Sequence, residues 1–167
     1  MRIRVLGESD IDLYFAVRLR GLKTNPEAYG STYEREVQFT PDEKASRIRA
    51  TDNKFVLGAF NNVGSLIGIV TFVRNEGSKD RHKGNVFGMY VVPESRGQGV
   101  GKALVRELLE NVGQLPGLEQ LHLAVVADNA PAKALYLSLG FKTYGVEPNA
   151  LLHEGRYYDE ELMVYKC

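Results

Sequence analysis

Apolar positions along the chain change their spacing several times, and each change marks an element. Residues 2–5 alternate Arg-Ile-Arg-Val, a short strand over about 2–6. Behind Ser9 and the acidic Asp10 and Asp12, Ile11, Phe15, Leu19 and Leu22 recur at helical spacing to about residue 24, where Asn25-Pro26 breaks the helix. EAYGSTYERE is loosely helical. Thr40-Pro41-Asp42-Glu43 predicts a helix start, with Thr40 as N-cap, proline in the first turn and Glu43 in the capping-box position. From residue 54 the period shortens to two: KFVLGAF, the turn NNVGS and LIGIVTFVRN predict an antiparallel hairpin. A polar loop, EGSKDRHKGN, precedes the strand VFGMYVV. Val100, Leu104, Leu108 and Val112, with Val105 and Leu109 beside them, then form one helical stripe. Pro116-Gly117 ends that connection, and LEQLHLAVVA reads as a nearly continuous buried strand.

Residues 129–139 predict a second helix. Pro131, Leu135 and Leu139 fall at i, i+4, i+8 as its core stripe, while Asn129, Ala132, Lys133 and Tyr136 share a different face. Gly140 suits the C-cap, Phe141–Glu147 a strand, and the last strand covers roughly Tyr157–Tyr165. The whole order predicts an α/β (mixed α+β) fold, a mixed sheet covered by helices on both faces, with a ligand near the strand C-terminal ends where a helix N-terminus points inward. No repeat, low-complexity tract or linker divides the chain, and residues 1–167 are expected to form one domain with its own core.

Composition narrows this little. Hydrophobic residues at 44% and charged residues at 25% are ordinary for a soluble globular protein. Lys plus Arg equals Asp plus Glu at 21 each, so neither nucleic acid nor a membrane is expected as a partner. The longest apolar run, Leu123–Ala127, is far below a membrane span. The single cysteine, Cys167, allows no internal disulfide, and MRIRVLGESD has no signal-peptide apolar region, so a reducing, cytoplasmic setting is expected.

The chemistry concentrates in VVPESRGQGVGKAL, residues 91–104. Glycine inside a helix costs about 1 kcal/mol against alanine, so Gly97, Gly99 and Gly101 at a helix start imply a close approach to the backbone. A P-loop needs glycine where Arg96 stands, and Ser or Thr where Ala103 stands. A dinucleotide fingerprint fails too, since its third glycine would fall on Lys102 or Leu104. What remains is Arg-x-x-Gly-x-Gly at the mouth of a helix, where unpaired N–H groups and the macrodipole favour an anion. Lys102 opposes that dipole, and a bound anion would explain it. A tight strand-to-helix turn with a solvated lysine accounts for the same residues without a ligand. On the second helix, Asn129 also suits a plain N-cap, and Tyr136 a core tyrosine with its hydroxyl at the surface.

VVPESRGQGVGKAL followed by ADNAPAKALYLSLGF resembles the GNAT superfamily of acetyl-CoA-dependent N-acetyltransferases; the motifs lie at 86–141 and the element order fits over nearly the whole chain. The resemblance implies a six- or seven-stranded mixed sheet whose central pair is splayed by a bulge. It also implies that acetyl-CoA is the acyl donor and that no metal takes part. Pyrophosphate would be gripped by Arg96, Gly97, Gln98, Gly99, Val100, Gly101 and Lys102. Main-chain groups of Met89 and Val91 would hold the pantetheine arm, and one N–H there would polarise the thioester carbonyl. Asn129 and Lys133 would contact the cofactor, and Tyr136 would protonate the departing thiolate.

Direct transfer needs a deprotonated amine, and some members of the family place a glutamate on the strand before the glycine loop. KGNVFGMYVV carries none. Glu34, Glu36, Glu154 and Asp159 are candidate bases, although a solvated surface charge is the more ordinary reading of any one of them. His82, His122 and His153 have no metal-ligand spacing, and His122 reads as structural. The acceptor site in this fold is usually lined by the first helices and the last strands. Tyr33, Glu34, Glu154 and Tyr158 are therefore its candidate residues, with Tyr29, Tyr157, Glu36 and Asp159 nearby. An amine pocket and plain hairpin propensity both fit them. The expected activity is acetyl transfer to a primary amine of a small molecule or a peptide N-terminus. The alternatives are an acyl-CoA-binding regulatory or interaction module and, against the failed spacings, a nucleotide-phosphate domain. Homodimers are common in the family; nothing in the chain fixes its assembly.

Overall fold

The capping box at Thr40 closes as its residues dictate: Thr40 Oγ1 accepts from the Glu43 N–H at 3.2 Å and Glu43 Oε2 from the Thr40 N–H at 2.7 Å. A computed structural model describes residues 1–167. Its elements are β1 (Arg2–Val5), α1 (Ile11–Thr24), α2 (Tyr33–Glu36), α3 (Pro41–Ile48), β2 (Lys54–Phe60), β3 (Leu66–Arg74), β4 (Lys83–Val91), α4 (Val100–Val112), β5 (Gln120–Val126), α5 (Ala130–Ser138), β6 (Lys142–His153) and β7 (Arg156–Lys166). Seven strands form one sheet in the order β1-β2-β3-β4-β5-β7-β6, antiparallel except for the β4–β5 pair. No helix is long and apolar enough to cross a membrane.

The helices take both faces. Gly21 of α1 lies against the Tyr90 ring, while Gly68 of β3 lies against Leu104 of α4, and these two strand residues belong to opposite faces of the β3–β4 ladder. The α4 stripe is buried as its spacing requires at Val100, Leu104, Val105, Leu108 and Val112. Truncating Leu104 or Leu108, both at 0% exposure, would cost about 2–5 kcal/mol.

The sheet opens in the middle. β4 and β5 pair only at Lys83–Gln120, Gly84–Leu121 and Asn85–His122, then diverge. The cause is on the other edge of β4, where the ladder to β3 slips between Ile69 and Thr71 and Gly88 takes φ 60°. That bulge turns β4 away from β5.

Four expectations are corrected. The loop after β3 is shorter than EGSKDRHKGN, because Lys83 already pairs with Gln120 of β5 and Gly84 and Asn85 pair in both ladders. β5 is central but not buried on both faces: Leu121, Leu123 and Val125 are buried while Ala124 is exposed, since the divergence of β4 uncovers one side. On α5 the buried residue is Tyr136; Pro131 is exposed and Leu135 and Leu139 are half-buried, because α5 meets the sheet through its tyrosine face. β6 runs on to His153 rather than stopping at Glu147, two register shifts letting it follow β7.

Candidate active site

The opening between β4 and β5 forms the floor of a cavity of about 1040 Å³. Its floor follows from backbone alternation. Val92 N–H donates to the Ile67 carbonyl at 3.0 Å, so residues 90 and 92 face β3 and the main-chain groups of Met89 and Val91 face the gap. Their carbonyls are taken: Tyr29 Oη donates to the Met89 carbonyl at 2.9 Å, and Arg96 Nε to the Val91 carbonyl at 3.0 Å. The N–H groups remain as the unused donors along this edge.

The glycine loop closes one end. Gly97 and Gly99 have φ 72° and 78°, left-handed conformations that glycine adopts without penalty, and a Cβ on either would meet nothing within 4 Å. Gly99 is the N-cap of α4. The N–H groups of residues 97–102 make no hydrogen bond within the chain, and all of these residues except Gln98 line the cavity. Backbone donors left free at a helix mouth are the chemistry that favours an anion. Gly101 has a different role, since a methyl there would lie 3.0 Å from Met89 Cε and 3.4 Å from Leu135 Cδ1. It lets α4 approach β4 and α5.

On α5, Asn129 Oδ1 accepts from the Ala132 N–H at 3.2 Å, an N-cap that leaves its amide nitrogen free at the cavity. Tyr136 is 6% exposed, its ring set edge-on to Phe141 at 5.7 Å, and it lines the same cavity. Burial pushes its phenol up to about 12, so the hydroxyl is a proton donor throughout the working pH range.

Several residues from the sequence reading lie elsewhere. Lys133 donates to the Ala127 carbonyl at 3.3 Å and is ion-paired with Glu161 of β7, so it points to the sheet and not into the cavity. Gln98 is exposed and donates to the Glu94 carbonyl at 3.1 Å. Arg96 lines the cavity, yet its guanidinium is committed to Val91 and to Asn25 Oδ1 at 2.9 Å, holding the loop against β4. Tyr33 sits under Lys23 Nζ at 4.1 Å beside α1, and Glu34 is exposed on α2. Glu154 is at the β6–β7 turn with φ 48°, and Tyr158 packs under Arg156 at 4.6 Å. None of these four lines the cavity. Asp159 accepts from the Asn149 N–H at 2.8 Å.

Glu36 is fully buried at 0% exposure between Arg18 and Arg47. Burial pushes its carboxyl up, but the hydrogen bonds and charge of Arg18, helped by Arg47, hold it below the ordinary range. A carboxylate so held is a poor base.

The carboxylate that does line the cavity is Glu160 of β7, which the sequence reading passed over. It pairs across the ladders with Val126 and Glu147, and burial followed by the Glu147 charge pushes its carboxyl up. The two-residue period gives the signal: Glu161 meets Lys133 of α5, so Glu160 faces the opposite side, where α1 and its neighbours lie. Tyr29, expected near the acceptor site, lines that side, together with Thr71 and Arg18, which were missed. For Arg18 the trace is its place among Phe15 and Leu22, three before and four after, on the buried stripe of α1.

A mixed sheet split at its centre, with free amides along one edge and at a helix mouth, is the fold class these elements define. The acetyltransferase (GNAT) family model matches residues 22–141, and the chain belongs to that family. Among curated relatives, a mycothiol acetyltransferase of Saccharomonospora viridis is 34% identical over 86% of this chain and 45% of its own length. The L-amino acid N-acetyltransferase AaaT of Escherichia coli is 30% identical over 60% of this chain and 61% of its own. The chain thus spans only about half the length of the curated relatives it matches. A GNAT acetyltransferase from Streptococcus pneumoniae superposes over 99% of both chains with TM-score 0.87 at 25% identity. A phosphinothricin acetyltransferase from Sinorhizobium meliloti, solved with acetyl-CoA, does so over 99% of this chain and 87% of its own with TM-score 0.85 at 22% identity.

Proposed function

We propose that this protein transfers an acetyl group from acetyl-CoA to a primary amine. The observation that carries the reading is the opened β4–β5 edge, which runs from the free amides of residues 97–102 to the Tyr136 hydroxyl. A diphosphate fits the first, and an acyl thioester arm fits the second. Acetyl-CoA supplies an activated acyl group and a thiolate leaving group.

The chain's own groups supply the rest. The N–H groups of residues 97–102 and the amide of Asn129 bind the phosphates and the arm. The Met89 and Val91 N–H groups lie along the edge of β4, and one of them meets the charge that builds on the thioester oxygen, where a single such donor is worth roughly 10²–10³ in rate. The amine nitrogen forms the new C–N bond as the C–S bond breaks. Glu160 accepts the proton that the amine loses, directly or through one water, and its raised carboxyl suits that task. Tyr136 donates its hydroxyl to the departing sulfur. With the phenol near 12 and a thiol near 8.5, full transfer is uphill by roughly 3–4 pKa units, so the hydrogen bond matters more than the proton's delivery.

Free-thiol release with acetyl-CoA and a panel of amines tests this reading. Tyr136→Phe keeps its packing against Phe141 and is expected to retain coenzyme binding while turnover falls about 10²-fold. Unchanged turnover removes the hydroxyl from the mechanism. Glu160→Gln is expected to lower kcat/KM at neutral pH by about 10²-fold. It should also abolish an acid-side fall that the wild type shows above the ordinary glutamate value of 4.5, read from the pH–rate profile.

A further inference from the structure

Arg18 is a charged side chain with only 6% exposure, and its guanidinium is fixed on two sides. Nε and Nη2 donate to Glu36 Oε2 and Oε1 at 3.0 and 2.8 Å, and the Tyr29 ring centroid lies 5.0 Å from Cζ. Arg47 Nη2 shares Glu36 Oε1 at 2.7 Å. Two guanidinium groups on one carboxylate leave this cluster with a surplus positive charge at the cavity wall.

The nitrogen left over is Nη1, which has no hydrogen-bond partner in the chain. It ends beside the bulge: a Cβ built on Gly88 would lie 3.7 Å from Arg18 Nη1 and 3.7 Å from Thr71 Oγ1. The Thr71 hydroxyl likewise has no partner, and Arg18, Thr71 and Gly88 all line the cavity. Two unused donors, one charged, therefore border the same point on the α1 face of the opening, one residue before Met89. Arg47 keeps its side chain 41% exposed, so water shares part of the surplus, and an anion entering the cavity would balance the rest.

We propose that the acceptor is an α-amino carboxylate whose free carboxylate is held by Arg18 Nη1 and Thr71 Oγ1. The proposal rests on the acetyl-transfer reading and names its acceptor. Two donors bordering one point suit the two oxygens of a carboxylate placed there. Because they sit one residue from the Met89 N–H, the amine that reaches the thioester belongs on the carbon next to the carboxylate, not at the end of a long side chain. A peptide N-terminus offers a neutral carbonyl at the same place and makes the weaker contact. Arg18 and Thr71 are thus specificity-determining, and Glu36 with Tyr29 are positioning residues that aim Nη1.

The test uses the wild-type protein with the common L-amino acids, their carboxamides, their decarboxylated amines and short peptides, compared per neutral amine. Free amino acids are expected to show a kcat/KM about 10- to 100-fold above the matched carboxamide and amine, the range of a charge-assisted hydrogen bond. Thr71→Val and Arg18→Lys are expected to narrow that preference, chiefly through KM for the acid, with folding checked by thermal melts. Equal use of acid, amide and amine by the wild type overturns the proposal, as does a preference for peptide N-termini. So does an equal loss for acids and amides in both variants. Calorimetry with acetyl-CoA on the same sample separates the two claims. Absence of binding overturns the transfer reading itself, whereas binding with no acetylation of amino acids, or no carboxylate preference, overturns the acceptor class alone.

Discussion

Glu36 shows what a single buried charge does for this chain. Its carboxylate joins α1, α2 and α3 through Arg18 and Arg47, at 0% exposure. Breaking such a cluster by removing the carboxylate costs about 3–5 kcal/mol, because Arg18 stays buried and unpaired. Glu36→Gln is expected to lose stability of that size at neutral pH, measured by urea unfolding. The sign with pH follows from its lowered carboxyl. The wild-type contribution is fully present above the ordinary value of 4.5 and is lost as pH falls through the lower folded value, so the variant's stability should be flatter over that acid window. The sequence offered Glu36 only as a possible base. Its partners stand 18 and 11 residues away on other helices, a separation that helical spacing within one element does not reach.

At the scale of elements, legibility follows the range of the forces. The Thr40 capping box and the α4 stripe were readable because each is decided within a few residues. The face of α5 was not: nine residues carry two plausible stripes, and the choice of Tyr136 over Pro131 and Leu135 comes from where the sheet lies. Lys133 follows from the same choice, since the turn of the helix that buries Tyr136 carries Lys133 to Glu161. Glu160 was hidden for a simpler reason: YYDEEL offers three adjacent acids, and the strand's two-residue period assigns their faces only once one of them is anchored. The two ends of the glycine loop can be told apart by experiment. Gly99→Ala must place a Cβ at φ 78° and is expected to cost about 1–2 kcal/mol and to weaken coenzyme A binding. Gly101→Ala meets only the flexible ends of Met89 and Leu135, and helix propensity offsets those contacts, so its stability should stay within about 1 kcal/mol of wild type. Thermal melts with and without coenzyme A read both effects.

On the scale of the whole molecule, the fold is a pair of half-sheets, β1–β4 and β5–β7, sharing three residue pairs. A mixed sheet of six or seven strands with a splayed centre was expected from the resemblance, and the bulge at Gly88 supplies the physical cause of the splay. An extended ligand arm lying against β4 would continue its hydrogen bonding where β5 has left. Amide hydrogen exchange at Met89 and Val91 is therefore expected to slow at least tenfold when acetyl-CoA is added, while the amides of β2 and β3 change little. Equal protection with and without it would place the arm elsewhere. The narrow seam has a mechanical meaning as well. Shear between the halves is resisted by one short ladder and by the helices laid across it, so the proposed site lies along the line with the fewest strand pairs. A molecule that stiffens along that line on loading couples occupancy of one side of the groove to the shape of the other, without needing a hinge or a lid.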